Sequence, residues 1–151
     1  MKKRTRRKIW GLINPVEHAI AGAAFVPEEL LAPLRLRELG AIEAFRAGHA
    51  GLQEWHDVNA MHGLCETMAR EGIGPEALEA CERAEAALME AARRFERTGK
   101  MGTTGPGLQA FRDVYDYHDL QRQSVARATY DRLIRLATAR IRSGAPGVTV
   151  L

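Results

Sequence analysis

Residues 75 to 98 carry the clearest hydrophobic rhythm in the chain: Leu78, Cys81, Ala84, Leu88, Ala91 and Phe95 recur at spacings of 3, 3, 4, 3 and 4, separated mostly by Glu, Arg and Ala. These spacings follow the 3.6-residue turn, so they predict an amphipathic helix packed nearly antiparallel on a partner. Upstream, Trp55, Val58, Met61, Leu64, Cys65 and Met68 mark the buried face of another helix over about residues 52 to 71. The cluster Gly72-Ile73-Gly74-Pro75 ends that helix and starts the next, because glycine accepts a left-handed cap and proline suits the first helical position. Pro27 and Pro33 predict a short helical turn at 28 to 31 and a firmer helix over 34 to 47, with Leu34, Leu39, Ile42 and Phe45 as its buried stripe. Nearer the start, Asn14 suits an N-cap, Pro15 the first helical position and Glu17 the reciprocal capping-box position. Val16, Ala19, Ile20 and Ala23 follow at helical spacing.

From Gly99 through the loop at 100 to 107 the chain holds four glycines and a proline. Beyond it, nothing interrupts a helix from 108 to 142, an element that would run about 50 Å at ~1.5 Å per residue. One short partner cannot cover that length, so this helix is expected to bend or to have two partners. Leu108, Phe111, Val114 and Tyr115 would be buried in its first part, and Leu133, Ile134, Ala137 and Ile141 in its last. Gly144 and Pro146 end it, leaving an apolar tail to Leu151. The pattern as a whole predicts an all-α fold, an antiparallel bundle of about five helices with a long C-terminal helix. Residues 1 to 13 form a basic arm and apolar anchor, 14 to 144 one helical domain, and 145 to 151 a tail.

Composition refines this picture in two respects. Aromatic residues make up only 6% of the 151, which favours a core built from alanine and leucine. No apolar run approaches the ~20 residues that span a bilayer, and no secretory leader follows the basic start. A cytoplasmic protein without membrane contact is therefore expected, with Cys65 and Cys81 as reduced core residues.

Charge is distributed far less evenly than a net +3 implies. Lys2, Lys3, Arg4, Arg6, Arg7 and Lys8 place six cations in the first eight residues with no acid among them. Residues 122 to 142 carry a further +5, which leaves 9 to 121 at −8. Such an arm suits a polyanion, while the acidic middle would repel one. On a helical wheel Arg127, Arg135 and Arg142 fall within ~80° of one another, with Arg132 ~60° beyond Arg135, so four guanidinium groups share a broad face that could follow a phosphate backbone.

Three other groupings could carry chemistry. Trp55-His56-Asp57 and Tyr117-His118-Asp119 repeat an aromatic-His-Asp pattern on two helices, and His56 with His118 could form an acid/base pair. The chain lacks the Glu-x-x-His and His-Glu-x-x-His spacings of metal-dependent bundles. His118 and Arg122 instead read as part of a structural polar network with Tyr115 and an acid from elsewhere. His62, Cys65 and Cys81, completed by Glu66 or His49, could in principle hold zinc, but without a Cys-x-x-Cys pair no metal or other cofactor is expected. No residue is assigned a catalytic role, since neither a nucleophile elbow nor a Gly-Lys-Ser/Thr phosphate loop is present.

Lys3-Arg4-Thr5-Arg6-Arg7-Lys8, the Asn14-Pro15-Val16 helix start, Leu36-Arg37-Glu38-Leu39 and Asp119-Leu120-Gln121-Arg122-Gln123-Ser124 resemble a group of small uncharacterised helical proteins from proteobacterial genomes and their phages or plasmids. The resemblance runs along most of the chain and implies a mobile-element accessory protein, without an activity or site residues to carry over. The expected function is a non-enzymatic helical protein contacting the DNA or RNA backbone through the arm and Arg127, Arg132, Arg135 and Arg142. The alternatives are a homo-oligomeric or protein-binding module without nucleic acid and, third, a small enzyme using His56 and His118.

Overall fold

The computed structural model describes residues 22–144, which form an all-α bundle. Its helices are α1 (Glu28–Ala47), α2 (Leu52–Arg70), α3 (Leu78–Thr98), α4 (Gly105–Gln123) and α5 (Arg127–Ser143), with a 3-10 turn at Pro75–Ala77 before α3. The arm, the apolar anchor, the helix start at Asn14 and the C-terminal tail lie outside the described residues, although Gly22 and Ala23 are helical. No described helix is long and apolar enough to cross a membrane.

Helix α2 touches each of the other four, whereas α5 packs chiefly on α2. That arrangement creates two cores. The larger gathers Trp55, Phe111, Leu88, Val58, Val114 and Phe45 between α1, α2, α3 and α4. Trp55 is wholly buried there and its indole N–H donates to the Leu88 carbonyl at 3.0 Å, so its one polar atom is satisfied. Phe45 and Phe111 meet edge to face at 5.3 Å. The α3 seam is as its rhythm predicts, with Cys81, Ala84, Leu88 and Ala91 buried and Leu78 and Phe95 half-buried against the core. Gly107 lets α4 approach α3 closely, because a Cβ there would sit 3.0 Å from Ala87 Cβ and 2.2 Å from Thr103 Oγ1.

The smaller core joins Val26, Leu31, Met68, Val125, Tyr130 and Leu133. It exists because the helix expected to run unbroken from 108 to 142 does not do so. The chain leaves α4 at Ser124, whose hydroxyl donates to the Gln121 carbonyl at 2.7 Å, and Ala126 is extended before α5 begins. Ala126 bridges Phe25, and the Arg127 amide donates to the Ala24 carbonyl at 2.8 Å. This break turns Val125 inward and gives each half its own partner.

Helix α1 departs from expectation in the opposite sense, since it is one continuous helix with Pro33 inside it. Proline lacks only the hydrogen bond to the carbonyl four residues back, which belongs to Glu29, an exposed residue in the first turn. Leu31 on one side and Ile42 on the other are both buried, so tertiary packing holds the helix across the proline. The buried stripe is also displaced: Leu39 is exposed, and Glu38 occupies the interior between Leu31 and Ile42.

Candidate functional site

The buried Glu38 defines the polar centre of the molecule. Arg122, 0% exposed, reaches across from α4 and grips its carboxylate with two parallel bonds, Nη1 to Oε1 at 2.9 Å and Nη2 to Oε2 at 2.8 Å. The Arg122 Nε–H donates to Asp119 Oδ1 at 2.9 Å, and Arg35 Nε–H donates to the same oxygen at 2.8 Å. Tyr115 lies beneath the Arg122 guanidinium, 5.8 Å from ring centre to Cζ. Burial opposes the charge on Arg122, but its bonds to Glu38 and Asp119 outweigh that and raise its pKa. Burial likewise pushes the Glu38 carboxyl upward, with Arg122 pulling the other way. Of the network expected from His118, Arg122 and Tyr115, Arg122 and Tyr115 meet, with Glu38 as the distant acid, while His118 makes no hydrogen bond to them.

His118 lies beside this centre, but its hydrogen bond goes to Gln121. The Gln121 amide nitrogen donates to the carbonyls of Cys65 at 3.2 Å and Ile73 at 2.8 Å. This fixes the amide orientation, so its Oε1 faces His118 Nδ1 at 3.2 Å as an acceptor. Nδ1 therefore carries the proton. Burial, with Arg122 nearby, lowers the His118 pKa to about 4, so the ring is neutral at pH 7 and its Nε2 is a bare acceptor.

Glu38 and His118 form the floor of a cleft of about 260 Å³ between α1, α2, α4 and α5. Its walls are Leu34, Met61, Leu64, Ile134, Ala137 and Ile141; Glu38, His118 and Tyr130 also line it, as do Arg37 and Asp57. Ile134 and Ile141, expected to be buried, are instead 39% and 43% exposed, because they flank this opening. His56 is exposed on α2, and no hydrogen bond joins it to His118; it is Asp57 that shares a cavity with His118. The paired-histidine arrangement does not form.

A second polar cluster ties α5 to α2. Arg140 Nη1 donates to Thr67 Oγ1 at 2.8 Å and its Nη2 lies 3.6 Å from Glu66 Oε2, while Arg70 holds Glu66 Oε1 at 2.7 Å. The zinc grouping does not assemble. His62 Nε2 donates to the Cys81 carbonyl at 3.0 Å, and among the described residues no three His, Cys, Asp or Glu side chains are placed to hold a metal. Cys65 and Cys81 are buried free thiols 3.7 Å apart; their mutual contact and burial push the Cys65 thiol far up.

Of the residues assigned to nucleic-acid contact, Lys2, Lys3, Arg4, Arg6, Arg7 and Lys8 lie outside the described residues. Arg127, Arg132, Arg135 and Arg142 are exposed on α5, and none makes an ion pair with a described acid. Asp131 is the one acid on that helix, against five arginines. No known protein family matches the chain, and no curated protein or solved structure matches it either.

Proposed function

We propose that the chain is a non-enzymatic helical accessory protein that holds the phosphate backbone of DNA or RNA through the outer face of α5, extended by the basic arm. The observation that carries this reading is the state of the arginines. Arg35, Arg46, Arg70, Arg83, Arg93, Arg122 and Arg140 are engaged with acids. Arg37, Arg94, Arg97 and Arg112 are exposed without such a partner but scattered over three helices, whereas Arg127, Arg132, Arg135 and Arg142 gather four such groups on α5 alone. Unpaired guanidinium groups on one helix favour phosphate contact and carry no base-reading information. The path of the chain supports the same reading. Gly22 to Phe25 runs beside Ala126 to Ala128, so the first described residues lie at the N-terminal end of the arginine helix. The resemblance to mobile-element proteins supplies a context in which such backbone binding is useful.

Deleting residues 2 to 8 tests the proposal by fluorescence anisotropy on generic duplex and single strands over a salt series. Affinity should fall severalfold or more and its salt dependence should flatten, since each lost phosphate contact removes roughly one from the logarithmic slope. Unchanged affinity and slope would refute it. A second reading, self-assembly or binding of another protein, is favoured by Phe25, Leu36 and Leu120, which are 69%, 75% and 66% exposed. Light scattering separates the two, because apolar association survives salt that strips a polyanion.

A further inference from the structure

The cleft beside α5 plays no part in phosphate binding, yet its floor holds an unused hydrogen-bond acceptor. His118 is 1% exposed, with Nδ1 committed to Gln121, and Nε2 has no hydrogen-bond partner among the described residues. Nε2 is not among the fully enclosed side-chain atoms that lack a hydrogen bond, so it keeps an edge that can be reached from outside. The opening that His118 lines is the cleft. A lone acceptor on the floor of an apolar cleft is the kind of group that orients a bound molecule by accepting from its donor.

The surroundings narrow the donor. Arg122 and Arg35 are already matched by Glu38 and Asp119, and Arg37 and Asp57, which also line the cleft, are of opposite sign, so the lining carries no net charge to attract an ion. The six apolar walls require an apolar body. A volume of about 260 Å³ exceeds the ~150 Å³ apolar cavity that takes benzene in an engineered protein, and so admits one ring with a short substituent. We propose that this cleft is a binding site for a small neutral molecule with an apolar body and one hydroxyl, a phenol or short-chain alcohol, whose O–H donates to His118 Nε2.

The test is calorimetric titration of the full chain with 4-propylphenol and with its methyl ether, which has the same shape but no donor. The phenol should bind roughly three- to tenfold more tightly, the contribution of one neutral hydrogen bond. His118→Phe should remove that preference while leaving weak binding of both compounds. Ala137→Phe, which fills the cleft from its α5 wall, should abolish binding of both, and circular dichroism establishes that each variant is folded. Should His118→Phe fail to fold, the wild-type preference and the Ala137→Phe loss still decide. Equal affinity for phenol and ether, phenol binding that survives Ala137→Phe, or no binding at millimolar ligand would overturn the proposal. So would a change of oligomeric state in Ala137→Phe by light scattering, which would make a second copy the occupant.

Discussion

The two cores of this molecule solve the same packing problem with different materials. Around Trp55 the four-helix body is closed, and buried Phe45, Phe111, Leu88 and Val58 meet with every polar atom of the tryptophan satisfied. Beneath α5 the smaller core is interrupted by Glu38, Arg122, Gln121 and His118 and leaves a cleft at its edge. The difference teaches that α5 is attached as much by polar contacts as by apolar burial. Arg140 reaches Thr67 and Glu66, whereas only Tyr130 and Leu133 of that helix are buried. A helix fixed in this way keeps its outer face free for a partner, while the closed body supplies stability.

The largest effect should come from breaking the ion network on one side only. Arg122→Met leaves the Glu38 carboxylate buried without a counter-charge, and chemical denaturation should show a loss of about 3–5 kcal/mol. The double variant Arg122→Met with Glu38→Leu should recover most of that, because neither charge then remains buried. A loss below ~1 kcal/mol for the single variant would mean that the network is solvated in solution.

The comparison between cores is sharpened by truncating one residue in each. Trp55→Ala should cost about 3–5 kcal/mol and Leu133→Ala about 2–5. Their signatures in amide hydrogen exchange should differ more than their magnitudes. Trp55→Ala lowers protection throughout α1 to α4, whereas Leu133→Ala releases α5 first, as expected of an element resting chiefly on α2. Equal loss of protection everywhere after Leu133→Ala would show that the two cores unfold as one.

A smaller effect is expected from pH. The folded His118 has a pKa of about 4, below the ~6.5 of an unfolded histidine, so the unfolded chain binds more protons in between. The stability it contributes is complete above about pH 6.5 and is lost as pH falls toward 4, amounting to no more than about 3 kcal/mol. His62, also lowered chiefly by burial, adds to the same slope. Denaturation midpoints of the wild type should fall between pH 7 and 5, and His118→Gln should flatten that fall. An identical slope in the variant would contradict the buried neutral ring.

Much of the closed body is legible in the sequence because its signals are local. The 78-to-95 seam repeats without a polar interruption, and glycines at 48, 99 and 144 adopt the left-handed caps that end α1, α3 and α5. The second region is less legible because its determinants are distant. Glu38 shares a 7-4-3 spacing with Leu31, Ile42 and Phe45, which marks it as interior, but an acid is read as surface until Arg122, 84 residues away, is known to meet it. No glycine or proline announces the break between α4 and α5; pairing of Ala126 with Phe25 and burial of Val125 impose it. The cleft is built by side chains from four helices, none of which reveals it alone.

That α5 is a supported helix with a free cationic face is tested most directly by reversing its charge while leaving the arm and both cores intact. Arg127→Glu, Arg132→Glu and Arg135→Glu together should leave the thermal midpoint within a few degrees, because all three side chains are exposed and without ion-pair partners among the described residues. Affinity for generic duplex in fluorescence anisotropy should drop by an order of magnitude or more at low salt, with a logarithmic salt slope shallower by roughly two to three. Wild-type affinity and slope in this folded triple variant would contradict the account.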